Sequence, residues 1–212
     1  MRKLLLICFL FPILFYSQED FGTWVKISFD YKLNKKISFN SKSELRTQEN
    51  SRTRNQLYTQ LSSKYKFNKK ISISLACRLK SLKKEYGEEF QNRFHSDIKY
   101  RIKLDAFSIF LRSRTQYNIT YNSENEWYER TRLKLKYEFN KQMNCFFYNE
   151  FYFLLNDPAN NGFNKNRLSV GVEYKISKSL SLQLKYLRIK GVNIENPQIM
   201  NIVGASFSHR LN

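Results

Sequence analysis

Glycine and proline are both scarce in this chain of 212 residues, with 6 and 3 copies respectively. Such a composition excludes a low-complexity or linker-rich protein, because flexible linkers and biased segments are built largely from these residues. No stretch of the sequence marks a boundary between domains. The simplest interpretation is therefore a single folded domain.

Cysteine is also rare, with three copies in the whole chain. Cys8 lies within the apolar N-terminal segment, too early for a lipid-attachment residue, so we do not expect a lipoprotein anchor. Cys77 and Cys145 alone cannot form the disulfide framework that holds many small secreted domains. A single bridge between these two residues stays open at this point.

Long hydrophobic runs are absent after the N-terminus, where residues 4–15 are almost entirely apolar. This run follows Arg2 and Lys3 and ends before a small residue suited to cleavage, which is typical of an export signal. It is shorter than the roughly 20 residues that a membrane-spanning helix needs. We therefore predict a signal peptide over residues 1–17, a mature domain over residues 18–212, and no transmembrane helix.

Acidic residues are few, 18 against 37 lysines and arginines, so the formal net charge is +19. The hydrophobic content of 42% and the mean hydropathy of -0.59 suit a soluble protein and a membrane barrel equally. This is because a barrel needs only one apolar face on each strand. Composition alone therefore does not decide the class, and the positions of the charges become the informative feature.

A short cassette recurs along the chain, made of an aromatic residue, alternating charged and apolar residues, and a polar turn. Its copies begin at Tyr31, Tyr65, Tyr100, Tyr137, Tyr174 and, in shortened form, His209, at intervals of 34, 35, 37, 37 and 35 residues. Each interval fits two strands of about ten to fourteen residues with one tight turn and one longer loop. The sequence therefore predicts a repeating β-hairpin.

Between the turns, apolar and polar residues alternate with a period of two, which indicates strands with one apolar face. In the first strand Val25 and Ile27 share one face, and Trp24 and Lys26 share the other. We count eleven such strands, of which the second alternates weakly. Their length matches the roughly 9 to 11 residues that a tilted strand needs to cross a bilayer. Strands of a soluble exported β-sandwich are usually shorter, about five or six residues.

The predicted fold is all-β: an antiparallel up-and-down transmembrane β-barrel of about 10–12 strands. Short periplasmic turns at one end and longer extracellular loops at the other, including residues 85–90, are typical of such barrels. Because an antiparallel ring closes with an even number of strands, eleven needs an explanation. We expect either that the first strand lies outside the ring or that one strand is miscounted.

Aromatic residues close to the short turns predict a girdle at the periplasmic membrane interface. Its members are Tyr31, Tyr65, Phe67, Tyr100, Tyr137, Phe139 and Tyr174.

If the apolar face meets lipid, the opposite face lines the lumen, and its basic residues far outnumber its acidic ones. Such an excess must be hydrated, lie at the rims, or be matched by bound anions. The predicted charge network consists of Glu44, Arg46, Arg78, Arg93, Asp97, Arg112, Arg114, Arg130, Arg132, Glu150, Arg167 and Glu173. Inward aromatic residues, among them Trp24, Tyr58 and Tyr152, favour a filled or constricted interior over an open pore.

Catalytic and metal-binding motifs are nearly absent. His95 points inward beside Asp97 and is a weak candidate for a catalytic pair, but no motif marks a serine nucleophile. Neither metal-ligand spacing nor a glycine-rich phosphate loop occurs, so we predict no cofactor and no metal.

The expected partners are outer-membrane lipid, lipopolysaccharide and small anions. Nucleic acid is not expected, because the basic residues alternate along strands instead of forming one patch. The oligomeric state stays open.

Four parts of the chain carry a family resemblance. The opening residues 21–47, with Trp24 and the turn Leu33-Asn34-Lys35-Lys36, resemble the Bacteroidota outer-membrane proteins of domain-of-unknown-function family 2490. The segments Arg112-Ser113-Arg114-Thr115-Gln116-Tyr117, Arg130-Thr131-Arg132-Leu133-Lys134 and Gly171-Val172-Glu173-Tyr174-Lys175 are similar to later strands of that family. The resemblance implies a β-barrel in the outer membrane and carries over no catalytic residues.

These observations predict an integral outer-membrane barrel with a strongly basic lumen and no assignable substrate. Two alternatives remain open. The first is a narrow anion-preferring channel, and the second is an enzyme that modifies lipid A or phospholipid.

Overall fold

The computed structural model describes residues 19–84, 87–121, 123–156, 162–194 and 196–211. The predicted signal peptide lies outside the described residues. In the described ranges, no helix has the length and apolar character needed to cross a membrane.

Eleven strands make up the described fold, and they close into one barrel in chain order. They are β1 (Glu19–Lys32), β2 (Ile37–Gln48), β3 (Thr53–Lys66), β4 (Ile71–Lys84), β5 (Gly87–Leu104), β6 (Phe107–Thr120), β7 (Glu126–Glu138), β8 (Met143–Leu154), β9 (Phe163–Lys175), β10 (Leu180–Gly191) and β11 (Ile199–Arg210). The predicted all-β, up-and-down barrel of about 10–12 strands is confirmed. β5, at 18 residues, is longer than expected, and most of the loop predicted at residues 85–90 belongs to it.

The ring closes through a parallel pair. β1 runs alongside β11 in the same direction, from Glu19 opposite Ile199 to Asp30 opposite Arg210. All the other neighbouring strands pair antiparallel. The expectation that one strand lies outside the ring or is miscounted is therefore wrong. Closure requires only that the N–H and C=O groups of both edges find partners, and a parallel ladder provides them.

The short turns explain the repeated cassette. The Asn34 side-chain oxygen accepts hydrogen bonds from the backbone N–H groups two and three residues further on, both at 2.8 Å. Asn68 and Asn140 make the same pair of bonds, and the Ser177 hydroxyl replaces the amide in a fourth turn. Such side chains satisfy backbone donors that the turn would otherwise leave unpaired.

Burial alternates along the strands in the sense opposite to that of a soluble protein. The outward side chains of Leu61 and Leu75 are 63% and 60% exposed, whereas the inward Tyr58 and Gln60 are each 3% exposed. The barrel therefore has an apolar exterior and a largely polar interior. A soluble sandwich would instead bury its apolar faces between two sheets.

Aromatic residues gather at both ends of the outer surface. All seven predicted girdle residues lie there beside the short turns, with ring centroids 4.9 Å apart in the pair Tyr137–Phe139. A second group near the long loops includes Tyr117 and Trp127, whose ring centroids are 4.4 Å apart. Trp127 and Tyr137 lie ten residues apart on β7, which is roughly 33 Å along the strand and, for a tilt of about 40°, roughly 25 Å along the barrel axis. That distance matches the apolar band of outer-membrane barrels.

A small apolar core lies inside the barrel beside the parallel pair. Leu187 on β10 and Ile202 on β11 have no exposed surface, and they cluster with Trp24, Phe146 and Tyr148. This cluster occupies one side of the lumen near its middle.

Candidate functional site: a divided lumen

The first part of the lumenal network lies against β1, β2 and β3. The buried carboxylate of Glu44 accepts a hydrogen bond from Arg46 at 2.5 Å. The Arg46 guanidinium also lies 3.6 Å from the ring centroid of Trp24 and 5.2 Å from that of Tyr58. One carboxylate and two aromatic rings together compensate the charge of this arginine.

Other arginines have no carboxylate within ion-pair distance among the described residues. Arg78 donates to the side-chain oxygen of Gln60 at 2.7 and 3.0 Å and lies 3.8 Å from the centroid of Tyr58. Arg132 lies 5.2 Å from the centroid of Tyr148. Aromatic faces and amide oxygens therefore compensate part of the arginine charge that the few acidic residues leave unpaired.

Glu150 is the centre of the second part of the network. Its Oε1 accepts hydrogen bonds from Arg112 and, at 2.9 Å, from Arg130. Arg130 donates further to Gln116 at 2.9 Å and lies 4.1 Å from the ring centroid of Tyr152. Glu150 is 2% exposed, so these charge-assisted bonds are shielded from water.

The remaining predicted members of the charge network lie on either side of the residues around Glu150. Arg93 donates to Asn118 at 2.7 Å, and Arg167 lies 4.6 Å from the ring centroid of Tyr152. Glu173 lies away from the arginines, near the short turns, where its carboxylate reaches Lys136 at 4.0 Å.

Asp97 is occupied by cations. Both of its oxygens accept bonds from Arg114, one of them at 2.9 Å, and Lys99 lies at 3.5 Å. His95 is 6% exposed, and its Nδ1 atom has no hydrogen-bond partner. In the ranges that the structure describes, His95 is hydrogen-bonded neither to Asp97 nor to a hydroxyl group. The arrangement therefore lacks the linked nucleophile, base and acid of a hydrolytic triad.

Two cavities occupy the lumen. The long-loop chamber, of about 350 Å³, is lined by residues that include Arg93, Glu126 and Lys165. The short-turn chamber, of about 590 Å³, is lined by 24 residues, of which eight are lysines and four are arginines. No residue lines both cavities. Between them lies a waist, formed by Trp24, Glu44, Tyr58, Arg78, Arg130 and Glu150. These six side chains are all buried, so the waist fills the lumen between the two chambers.

Amide partners of the arginines were missed by the sequence analysis. Gln60 lies directly opposite Arg78 in the β3–β4 register, and Asn118 lies opposite Arg93 in the β5–β6 register. Parity along each strand predicts that these residues point inward. Their pairing requires the register between strands, which parity does not supply.

The described residues form neither a metal site nor a disulfide bridge. The described residues contain no group of three or more histidine, cysteine or acidic side chains that could hold a metal ion. Cys77 and Cys145 are free thiols, so no bridge joins them.

The chain is similar in structure to several barrels. For the KdgM porin the TM-score is 0.49 at 13% identity, covering 82% of this chain and 91% of that one. For the beta domain of the Bordetella autotransporter Brka it is 0.47 at 10% identity, covering 78% of each chain. For the anion-selective porin from Comamonas acidovorans the TM-score is 0.40 at 11% identity, covering 77% of this chain and 51% of that one. At such low TM-scores these similarities carry no argument about function.

No curated protein sequence matches the chain. A family model described as "Protein of unknown function (DUF2490)" matches residues 21–199, which is most of the sequence. The chain therefore belongs to the DUF2490 family.

Proposed function

We propose that the protein is an integral outer-membrane β-barrel that acts as a structural or accessory component of the membrane, with its lumen closed at the waist. The observation that carries this proposal is the inverted burial of its strands. An exposed apolar band between two aromatic groups is stable only against lipid, where a closed barrel leaves no backbone group unpaired.

The export segment predicted at residues 1–17 supports this location. So does the residue pattern shared with Bacteroidota outer-membrane proteins, and we extend the proposal to such an origin. The short turns face the periplasm and the long loops face the outside, as in barrels of this class. Outer-membrane lipid and lipopolysaccharide are then the immediate neighbours of the apolar band.

The location is tested by fractionating cells that produce the full chain. We expect the protein in the outer-membrane fraction, resistant to carbonate extraction. On detergent gels we expect a mobility change between unheated and heated samples, since a folded barrel migrates differently from its unfolded chain. Release by carbonate, or identical mobility before and after heating, contradicts the proposal.

A narrow anion-preferring channel is the second candidate, favoured by the excess of basic residues lining both chambers. Such a channel requires the waist to open, at least transiently. Planar-bilayer recordings in a potassium chloride gradient test it. A discrete conductance with a reversal potential near that of chloride supports the channel, and the absence of any discrete conductance removes it.

The lipid-modifying enzyme stays a prediction that no observation favours, because His95 faces the lumen and not the lipid. Replacing His95 with alanine in a deletion strain is the relevant experiment. If the variant restores the lipid profile as well as the unaltered protein does, the one candidate base is eliminated.

A further inference from the structure

We propose that the short-turn chamber is a binding site for a small soluble molecule that carries several phosphate or carboxylate groups. This inference rests on the proposed membrane barrel, since the chamber is enclosed only if the ring of strands is. It goes further, because it assigns a ligand class to one end of the lumen.

The charge of the chamber wall is the first argument. Its acidic residues are Asp30 and Asp97, and Asp97 is already occupied by Arg114 and Lys99. Its basic residues are Lys26, Lys32, Lys42, Lys64, Lys66, Lys99, Arg112, Arg114, Arg132, Lys134, Lys185 and Arg210. Most of this positive charge has no counter-charge on the wall.

The second argument concerns the inner end of the chamber, next to the waist. Lys26, Lys42, Lys134 and Lys185 make no ion pair within 4.0 Å in the described part of the chain. Lys134 contacts the ring of Phe146 at 4.1 Å, and Lys185 lies 5.2 Å from that of Trp24. Glu44 lies opposite Lys26 in the β1–β2 register, but its carboxylate is bonded to Arg46. Like charges held together in a partly desolvated cavity repel one another, and an anion bound among these lysines would relieve that repulsion.

Gly204 on β11 lies beside the Lys185 stem, and an added Cβ would come within 2.6 Å of the Lys185 Cε atom. The stem therefore runs along the inner wall next to this glycine, and Lys185 itself lines the chamber.

The chemistry of the wall indicates the kind of anion. Lysine ammonium groups are compact charges with three rotatable donors, suited to several separate anionic groups in varied orientations. A volume of about 590 Å³ is that of a small-molecule site. The rings of Phe146 and Tyr148, with centroids 6.2 Å apart, also line the chamber, but they are 3% and 8% exposed, so the surface that a ligand meets is mainly charged and polar. A compact molecule with three or more charges meets these conditions better than a single monovalent ion.

Titration calorimetry on the purified full-length barrel in zwitterionic detergent tests the proposal. The probes are tripolyphosphate and 1,2,3-propanetricarboxylate, with inorganic phosphate and chloride for comparison at constant ionic strength. We expect one saturable site that binds at least one of these two polyanionic probes about tenfold or more tightly than inorganic phosphate. Preference for one of the two probes separates a phosphorylated ligand from a carboxylated one.

The variant pair Lys42→Gln/Lys185→Gln removes two cations from this chamber. Its matched control, Lys80→Gln/Lys165→Gln, removes two cations from the long-loop chamber. We expect the first pair to weaken binding of the probe about tenfold or more, and the control to change it less than about threefold.

Thermal stability supplies a second readout. Without ligand, the Lys42→Gln/Lys185→Gln variant should unfold at a higher temperature than the unaltered protein, because repulsion is relieved. A purely structural pair of lysines would give the opposite shift. Absence of saturable binding, or equal loss of binding in both variant pairs, overturns the site. If the binding site is overturned but gel mobility still changes on heating, the membrane-barrel proposal remains intact.

Discussion

Glu150 is the most connected carboxylate of the waist, because Arg112 and Arg130 both donate to the same oxygen atom. All three side chains are shielded, with relative side-chain exposures of 3%, 7% and 6%. Removing one partner of such a group leaves uncompensated charge in a poorly hydrated site. That effect usually exceeds the net value of the pair itself.

We therefore expect Glu150→Gln to lower the free energy of unfolding by about 3–5 kcal/mol. The temperature at which gel mobility changes in detergent measures the effect. Glu138→Gln is the matched control, since Glu138 is 37% exposed and its partner Lys136 lies at 3.8 Å. There we expect a change below about 1 kcal/mol. Equal shifts in the two variants would contradict the role given to Glu150.

At this scale the sequence predicted which residues point inward, because parity along a strand is set by the backbone alone. Trp24, Tyr58 and Tyr152 were expected inside as filling. Their role as partners of Arg46, Arg78 and Arg130 could not be predicted, since it depends on the distance across the lumen. That distance follows from strand number, tilt and register together.

At the scale of the strand, β9 and β10 approach each other closely at Gly171. A Cβ atom added there would lie 2.5 Å from the carbonyl oxygen of Leu184 and 2.6 Å from the Cζ atom of Phe146. The carbonyl belongs to the backbone of the neighbouring strand and cannot move without disturbing the ladder. The glycine therefore lets the Phe146 ring lie flat against the inner wall.

Gly171→Ala should accordingly destabilise the barrel by about 1–3 kcal/mol, as overpacking of a well-filled interior does. The same heat-dependent mobility change measures it. Val170→Ala is the control, because Val170 is 52% exposed on the outer face. We expect the control to stay within about 0.5 kcal/mol of the unaltered protein. Unchanged stability in Gly171→Ala would show that the interior there is looser than the structure indicates.

Strands and short turns were predictable because their signals are local. A period of two needs only neighbouring residues, and turn residues such as Asn34 and Asn68 act within three positions. The start of β5 was not predicted. Its first residues, from Gly87, are polar and pair with β4 through backbone bonds that need no apolar side chains.

At the scale of the whole molecule, closure through β1 and β11 is the feature that the sequence did not reveal. Local patterns carry no information on which two strands meet to close the ring. The rule that antiparallel barrels have an even number of strands predicted that one of the eleven was outside the ring or miscounted. In the structure Ser28 on β1 lies opposite Ser208 on β11, with their hydroxyl oxygens 2.8 Å apart. This pair offers a direct test of the closure.

We expect Ser28→Cys/Ser208→Cys, in a background with Cys77→Ser and Cys145→Ser, to form a disulfide on oxidative refolding. The bridge would close most of the chain into a loop, so the denatured, unreduced protein should migrate faster on gels and revert with reductant. Ser28→Cys/Ser206→Cys, displaced by one repeat of the ladder, is the control and should bridge poorly. Equal bridging in both pairs, or in neither, argues against the parallel register.

Because the ring has an odd number of strands, β1 enters at the rim of the long loops, whereas β11 leaves at the rim of the short turns. In the proposed orientation, a peptide epitope inserted before Glu19 is presented to the medium, and one attached after Arg210 faces the periplasm. Antibody staining of intact cells would detect the first and miss the second. A barrel of even strand number would place both epitopes on the same side of the bilayer.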